Sequence, residues 1–184
     1  MTFLPATRHQ TQPWKNGLGI STLIAQAPPD AGFDTVLWQV SATEFGADSP
    51  FSHLPGLDRL FTVIQGSGVE LTSVDETTGA EVRQIVRRLQ PYAFAGDWRT
   101  TCRVLDGPVR VLNVMTRRGR FTAGVELRSG ERALHLECVA SEILVAVDLH
   151  SLDAWRLDGT AAEGSTVAVA SGGETIALVR LRPA

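Results

Sequence analysis

The strongest constraint on this chain is the period of its apolar residues, which is two rather than 3.6. In the segment 36–42, Val36, Trp38, Val40 and Ala42 fall on one side of an extended strand. In 60–64 both sides are largely apolar, and 109–115 is β-rich and bounded by Gly107-Pro108 and Gly119. Further strand-like segments are 20–26, 67–74, 82–89, 101–105, 121–127, 133–139, 142–149, 165–170 and 174–181. Turn signals separate them: Gly66-Ser67-Gly68, Thr78-Gly79, Gly96-Asp97, Asp106-Gly107-Pro108, Ser129-Gly130, Asp158-Gly159 and Gly172-Gly173. Many short strands at roughly 8–12-residue spacing predict an all-β sandwich or barrel. No long segment carries the pattern of an amphipathic helix.

Composition enters where it narrows function. In 184 residues, 43% are hydrophobic and 20% charged, which excludes a disordered chain. A net charge of −3 gives no support to nucleic-acid or anionic-membrane binding. No stretch approaches the ~20 apolar residues that span a bilayer. The first ten residues hold neither a basic leader nor an apolar core, so the expected location is the cytoplasm. Cys102 and Cys138 are too few for a disulfide scaffold and sit in apolar segments, where a small buried filler is expected.

Three blocks carry residues suited to a ligand. In Pro13-Trp14-Lys15-Asn16-Gly17-Leu18-Gly19, Trp14 offers a flat apolar face, Lys15 a cation, and Asn16 a donor and an acceptor. The plain alternative is a loop whose tryptophan plugs the core. In the second block, Ser49 to Arg59, Arg59 shares strand parity with Phe61 and Val63. On an inward face its guanidinium would clamp a carboxylate through two parallel bonds. The alternative is an Asp58–Arg59 surface turn. In the third, Asn113 has the parity of Val109, Val111 and Met115, so its amide must be hydrogen-bonded by its surroundings or by a ligand. Arg117 and Arg118 read as exposed charges at a strand end.

Metal and nucleophile chemistry find little support. Among His9, His53, His135 and His150 there is no His-x-His or His-x-x-x-His, and His135-x-Glu137 alone makes a weak pair. There is no Gly-x-Ser-x-Gly elbow, and neither cysteine has an electropositive setting. No metal and no cofactor are expected.

Pro13-Trp14-Lys15-Asn16-Gly17, Pro50-Phe51-Ser52, Pro55-Gly56-x-Asp58-Arg59, Phe94-x-Gly96-Asp97, Leu105-x-Gly107-Pro108 and Asn113-Val114-Met115-x-Arg117-x-Gly119 together resemble the HutD/Ves family, in order and spacing, across roughly residues 4–128. The resemblance implies a cupin-type fold with two β-barrel halves on one chain, a bicupin. The halves would be approximately 1–118, holding the pocket, and 119–184, in one compact unit. It also implies binding of a histidine-degradation intermediate such as formylglutamate and a regulatory role in histidine utilisation, or a stress-associated role as in Ves. Two positions depart from the family pattern: Leu18 stands where a glycine is usual, and Gln39 where an arginine is.

A metal-bearing cupin places histidines and a glutamate before a strand and a glycine after it. Here Gly66 fits the glycine, Arg59 falls at or near the glutamate, and only His53 lies near the histidines. A guanidinium in place of a carboxylate reverses the sign of the site. The reading is therefore a metal-free cupin that takes a small carboxylate. Lys15 and Arg59 would engage carboxylates, Asn16 and Asn113 an amide or formyl group, Trp14 the ligand stem, and His53 the rim. Two other classes stand beside it: a metal-free isomerase or amide hydrolase using His53, Lys15 or Asp58, and an interaction module, for which a homodimer is one form.

Overall fold

The computed structural model describes residues 1–14, 17–129, 133–159, 165–170 and 174–184. Lys15, Asn16, Gly130 and the Gly172-Gly173 turn lie outside the described residues. The strands are β1 (Thr2–Leu4), β2 (Gln10–Pro13), β3 (Gly19–Ala27), β4 (Trp38–Phe45), β5 (Ser49–Pro50), β6 (Leu57–Gln65), β7 (Val69–Val74), β8 (Glu81–Val86) and β9 (Tyr92–Ala95). They continue as β10 (Arg99–Val104), β11 (Val109–Arg117), β12 (Phe121–Arg128), β13 (Ala133–Cys138), β14 (Ile143–Asp148), β15 (Ala154–Asp158), β16 (Ser165–Ala170) and β17 (Ile176–Pro183). The only helix among the described residues is a 3-10 turn at Ala6–Arg8, and no helix is long and apolar enough to cross a membrane.

The chain divides into two compact units, Gln10–Arg118 and Met1–His9 together with Gly119–Ala184. The first nine residues, grouped above with the first half, thus fall with the second. β1 adds to the edge of β15, Phe3 packs on Trp155 with ring centroids 5.4 Å apart, and Asp153 Oδ1 accepts the Ala6 N–H at 2.8 Å.

In the unit Gln10–Arg118, a six-stranded sheet runs β2-β3-β4-β11-β6-β9 and a four-stranded sheet runs β5-β10-β7-β8, with every neighbouring pair antiparallel. Both are open sheets, not closed barrels as the resemblance implied. Their facing residues build one apolar cluster. Phe45, Phe61, Val63, Phe94, Val109 and Val111 come from the larger sheet, and Val69, Leu71, Val86 and Cys102 from the smaller. Strand alternation puts these residues inward because burial of each such side chain is worth roughly 1.5–3 kcal/mol. The other unit joins a five-stranded sheet, β1-β15-β14-β17-β12, with the pair β13-β16. Leu134, Leu136, Cys138, Leu144, Leu157, Ile176 and Leu178 make its core.

Turn glycines fix how strands meet. Gly66 has φ +93°, and a Cβ there would stand 2.6 Å from the Pro108 carbonyl oxygen. Gly96 lies where three backbones converge. Its N–H donates to Leu57 O at 2.7 Å, Leu54 N–H donates to its carbonyl at 2.8 Å, and an added Cβ would sit 2.5 Å from Leu54 O. Backbone atoms cannot rotate away as a side chain can. Gly96→Ala is therefore expected to cost about 2 kcal/mol or more. A lower urea midpoint with an unchanged m-value would show it; an unchanged midpoint would contradict this steric account.

Candidate functional site

Arg59 lies on the inner face of β6, between Met115 of β11 and Phe94 of β9. It is 9% exposed. The guanidinium carbon is 4.9 Å from the ring centroids of both Phe51 and Phe94. Those centroids are 6.5 Å apart, so one cation lies over both rings. Cation–π contacts offset part of the cost of burying charge. Arg59 Nη2 donates to Asn113 Oδ1 at 3.3 Å, while Nε has no partner. Burial lowers the Arg59 pKa to about 10, and the only group acting to raise it is the Cys102 thiol. Among the described residues no carboxylate balances the charge, and the group remains a cation at neutral pH.

A polar band leads away from this cation across the inner face. Asn113 pairs with Ser41 on one side and Phe61 on the other, and Ser41 Oγ donates to the Asn113 carbonyl at 3.4 Å. One row further, Ser21 pairs with Thr43. Trp14 Nε1 donates to Ser21 Oγ at 2.9 Å, and the Ser21 and Thr43 hydroxyls share a hydrogen bond of 3.1 Å. Trp14 also stacks on Phe45 with centroids 5.5 Å apart and packs against the core. Gly19 makes room for it, since a Cβ there would stand 2.9 Å from the indole. Phe51, Phe61 and Phe94 supply apolar walls.

The candidate residues therefore separate. Arg59 and Asn113 meet. Trp14 joins the same inner face through its ring and its N–H. Lys15 and Asn16 lie outside the described residues. His53 is exposed, with its Nε2–H donating to the Asp97 carbonyl at 2.8 Å, and the structure brings it to that loop rather than to Arg59. Gln39 shares a row with Met115 and Arg59, and its amide donates to Gln26 Oε1 at 2.8 Å.

Asp58 does not pair with Arg59 in a surface turn. Neighbours on a strand point to opposite faces, and Asp58 instead accepts from Arg118 at 2.6 Å. Arg118 also donates to Asp97 at 2.6 Å, and Asp97 accepts the Gly56 N–H at 3.1 Å. The Asp97 carboxyl is held below its ordinary pKa chiefly by the Arg118 hydrogen bond. Arg118 is thus tied down rather than a free charge, and this cluster anchors the 51–57 loop that carries Phe51.

Cys102 is buried, and desolvation pushes its pKa to about 12, so the thiol stays protonated and is a poor nucleophile. His135 and Glu137 are both on the exposed side of β13. Among the described residues no group of three or more His, Cys, Asp or Glu could hold a metal ion. A shallow cleft lined by Asp48, Ser49, Glu70, Thr72, Thr101 and Arg103 crosses the smaller sheet. Its main charges, Glu70 and Arg103, already neutralise each other at 3.1 Å, so the uncompensated charge at Arg59 is the better guide to a ligand.

Comparison with known proteins follows the same lines. A family model described as HutD matches residues 6–178. Protein Ves from Cronobacter sakazakii is 30% identical over 128 residues, covering 69% of this chain and 66% of that protein. An uncharacterised 21.2 kDa protein in the hutC 3' region of Pseudomonas putida is 28% identical over 82% of this chain and 75% of its own length. The structure of HutD from Pseudomonas fluorescens SBW25, determined in a formate condition, superposes with a TM-score of 0.79 at 27% identity, covering 100% of this chain and 98% of that one. A mutant of Bacillus subtilis oxalate decarboxylase shares the fold alone, with a TM-score of 0.61 at 7% identity over 99% of this chain and 77% of that one.

Proposed function

The chain belongs to the HutD family, which is linked to the histidine-utilisation locus, and we propose that it is a metal-free binding protein for a small carboxylate, of the formylglutamate type. The observation that carries this reading is Arg59, a buried cation that has, among the described residues, no carboxylate partner and no partner for its Nε. Protein interiors seldom retain an unpaired buried charge, because desolvation costs several kcal/mol. A ligand carboxylate would supply the missing charge and accept from the open guanidinium edge, at about 1.5–3 kcal/mol per charge-assisted hydrogen bond. The Asn113 amide and the Ser41, Thr43 and Ser21 hydroxyls suit a formyl or amide group further along the face, with Trp14 and Phe61 against the stem.

The chemistry at the described candidates supports binding over turnover. The thiol near Arg59 is protonated, and His53 faces the Asp97 carbonyl rather than a nucleophile. A regulatory role in histidine breakdown, a cytoplasmic location and a two-half cupin architecture complete the proposal. Titration calorimetry with N-formylglutamate, glutamate and urocanate tests it. Heat is expected with at least one acid and none in Arg59→Met. Absence of heat with all three would reject the assignment.

A further inference from the structure

We propose that Ser49 is the second anchor of the anion at Arg59, and that the two together take one planar carboxylate in preference to a tetrahedral oxyanion. This rests on the reading of Arg59 as a carboxylate site and names a contact and a selectivity that reading lacks. Among the described residues, Thr62 Oγ1, Arg59 Nε and Ser49 Oγ are buried polar atoms of this unit without partners, and the last two are on residues 9% and 4% exposed.

Two observations bring Ser49 to the arginine. Ser49 is the register partner of Cys102, and Cys102 and Arg59 lie close enough to influence each other's ionisation. Two residues along the same strand direction, Phe51 places its ring against the guanidinium. Alternation puts residues 49 and 51 on the same side. A buried hydroxyl without a partner costs about 1–3 kcal/mol, and so does a buried unpaired N–H. A single carboxylate satisfies both, with one oxygen accepting from Arg59 Nε–H and the other from Ser49 O–H.

The surroundings set the class of ion. Phe51 and Phe94 present π faces to the guanidinium, and Asn113 presents an acceptor oxygen to Nη2. The site therefore offers one positive charge with electron-rich groups around it. That matches a flat monoanionic headgroup and disfavours a dianionic tetrahedral one, which would leave a second charge and further oxygens unpaired.

The test uses the full chain, with sodium formate and N-formylglutamate as carboxylate probes and inorganic phosphate as the tetrahedral control. Ser49→Ala removes a hydroxyl that has no protein partner, so its melting temperature without ligand should stay at or above that of the wild type. Its carboxylate affinity should fall about tenfold, the loss of one hydrogen bond to a charged group. Phosphate should bind far more weakly than either carboxylate. Unchanged affinity in Ser49→Ala, with binding still lost in Arg59→Met, would overturn the Ser49 assignment and leave the carboxylate site standing. Phosphate binding as tight as N-formylglutamate would overturn the selectivity. If the wild type binds neither carboxylate, both this inference and the reading beneath it fail.

Discussion

Arg59→Met is expected to abolish carboxylate binding and to make the protein more stable. Methionine preserves much of the length and apolar contact of the arginine stem and suits an aromatic cage. It removes a cation that no carboxylate among the described residues offsets. Replacing a buried ionic group by an apolar one of similar volume commonly gains about 1–4 kcal/mol. For a chain of this size that corresponds to roughly 3–10 °C in melting temperature. The sign with pH follows from the lowered pKa, whose cause is burial. Below about 10 the folded arginine is charged and the destabilisation is fully present. As pH rises through that value the folded state releases a proton that the unfolded state still holds, so this penalty fades. The stability gap between Arg59→Met and the wild type should therefore be widest near neutral pH and narrow above pH 10, where ligand affinity should also fall. A variant less stable than the wild type across that range would mean that Arg59 holds the fold rather than a ligand.

The same parity that marked Arg59 also explains what was and was not legible. Arg59, Phe61 and Val63 share one face, as do Val109, Val111 and Asn113, and the one register shift of the β6–β11 ladder, between Arg110 and Val111, leaves that alternation readable. Two interior residues from separate strands are thus legible from parity alone. The short edge strands β1, β2, β5 and β9 were not anticipated. Gln10–Pro13 is exposed throughout and carries no apolar alternation to read. Ser49–Pro50 has only two residues, so nothing in its pattern announces that Ser49 is inward. The N-terminal strand joins β15 across roughly 150 residues, a pairing set by tertiary contact rather than by local pattern. Sequence adjacency suggests an Asp58–Arg59 pair, yet strand geometry turns Asp58 toward Arg118. Adjacent charges on a strand are separated by the sheet itself, so ion pairs there must be sought across strands.

In the unit formed by Met1–His9 and Gly119–Ala184, the largest loss of stability is expected from Glu142→Ala. The Glu142 side chain is completely buried. Its Oε2 accepts from Arg180 at 2.7 Å and its Oε1 from Arg182 at 2.9 Å, while the Val139 N–H donates to Oε2 at 3.4 Å. Its backbone closes the same turn, for its carbonyl accepts the Gly159 N–H at 2.8 Å and the Cys138 thiol at 3.2 Å. Gly159 leaves no slack, since a Cβ there would stand 1.9 Å from the Val139 carbonyl oxygen. Alanine at 142 empties the carboxylate position and leaves two arginines facing each other across it. Breaking a buried ion pair costs about 3–5 kcal/mol, and the partial exposure of Arg180 and Arg182 lets them turn to water, which places the expected loss near the lower end of that range. Glu142→Gln retains the shape and one acceptor oxygen and should lose less. Urea unfolding of both variants distinguishes charge from shape: equal losses would show that the carboxylate charge, not the cavity, dominates. The site at Arg59 should still bind N-formylglutamate in Glu142→Gln under conditions where that variant remains folded, because none of the ligand-facing groups belongs to this turn.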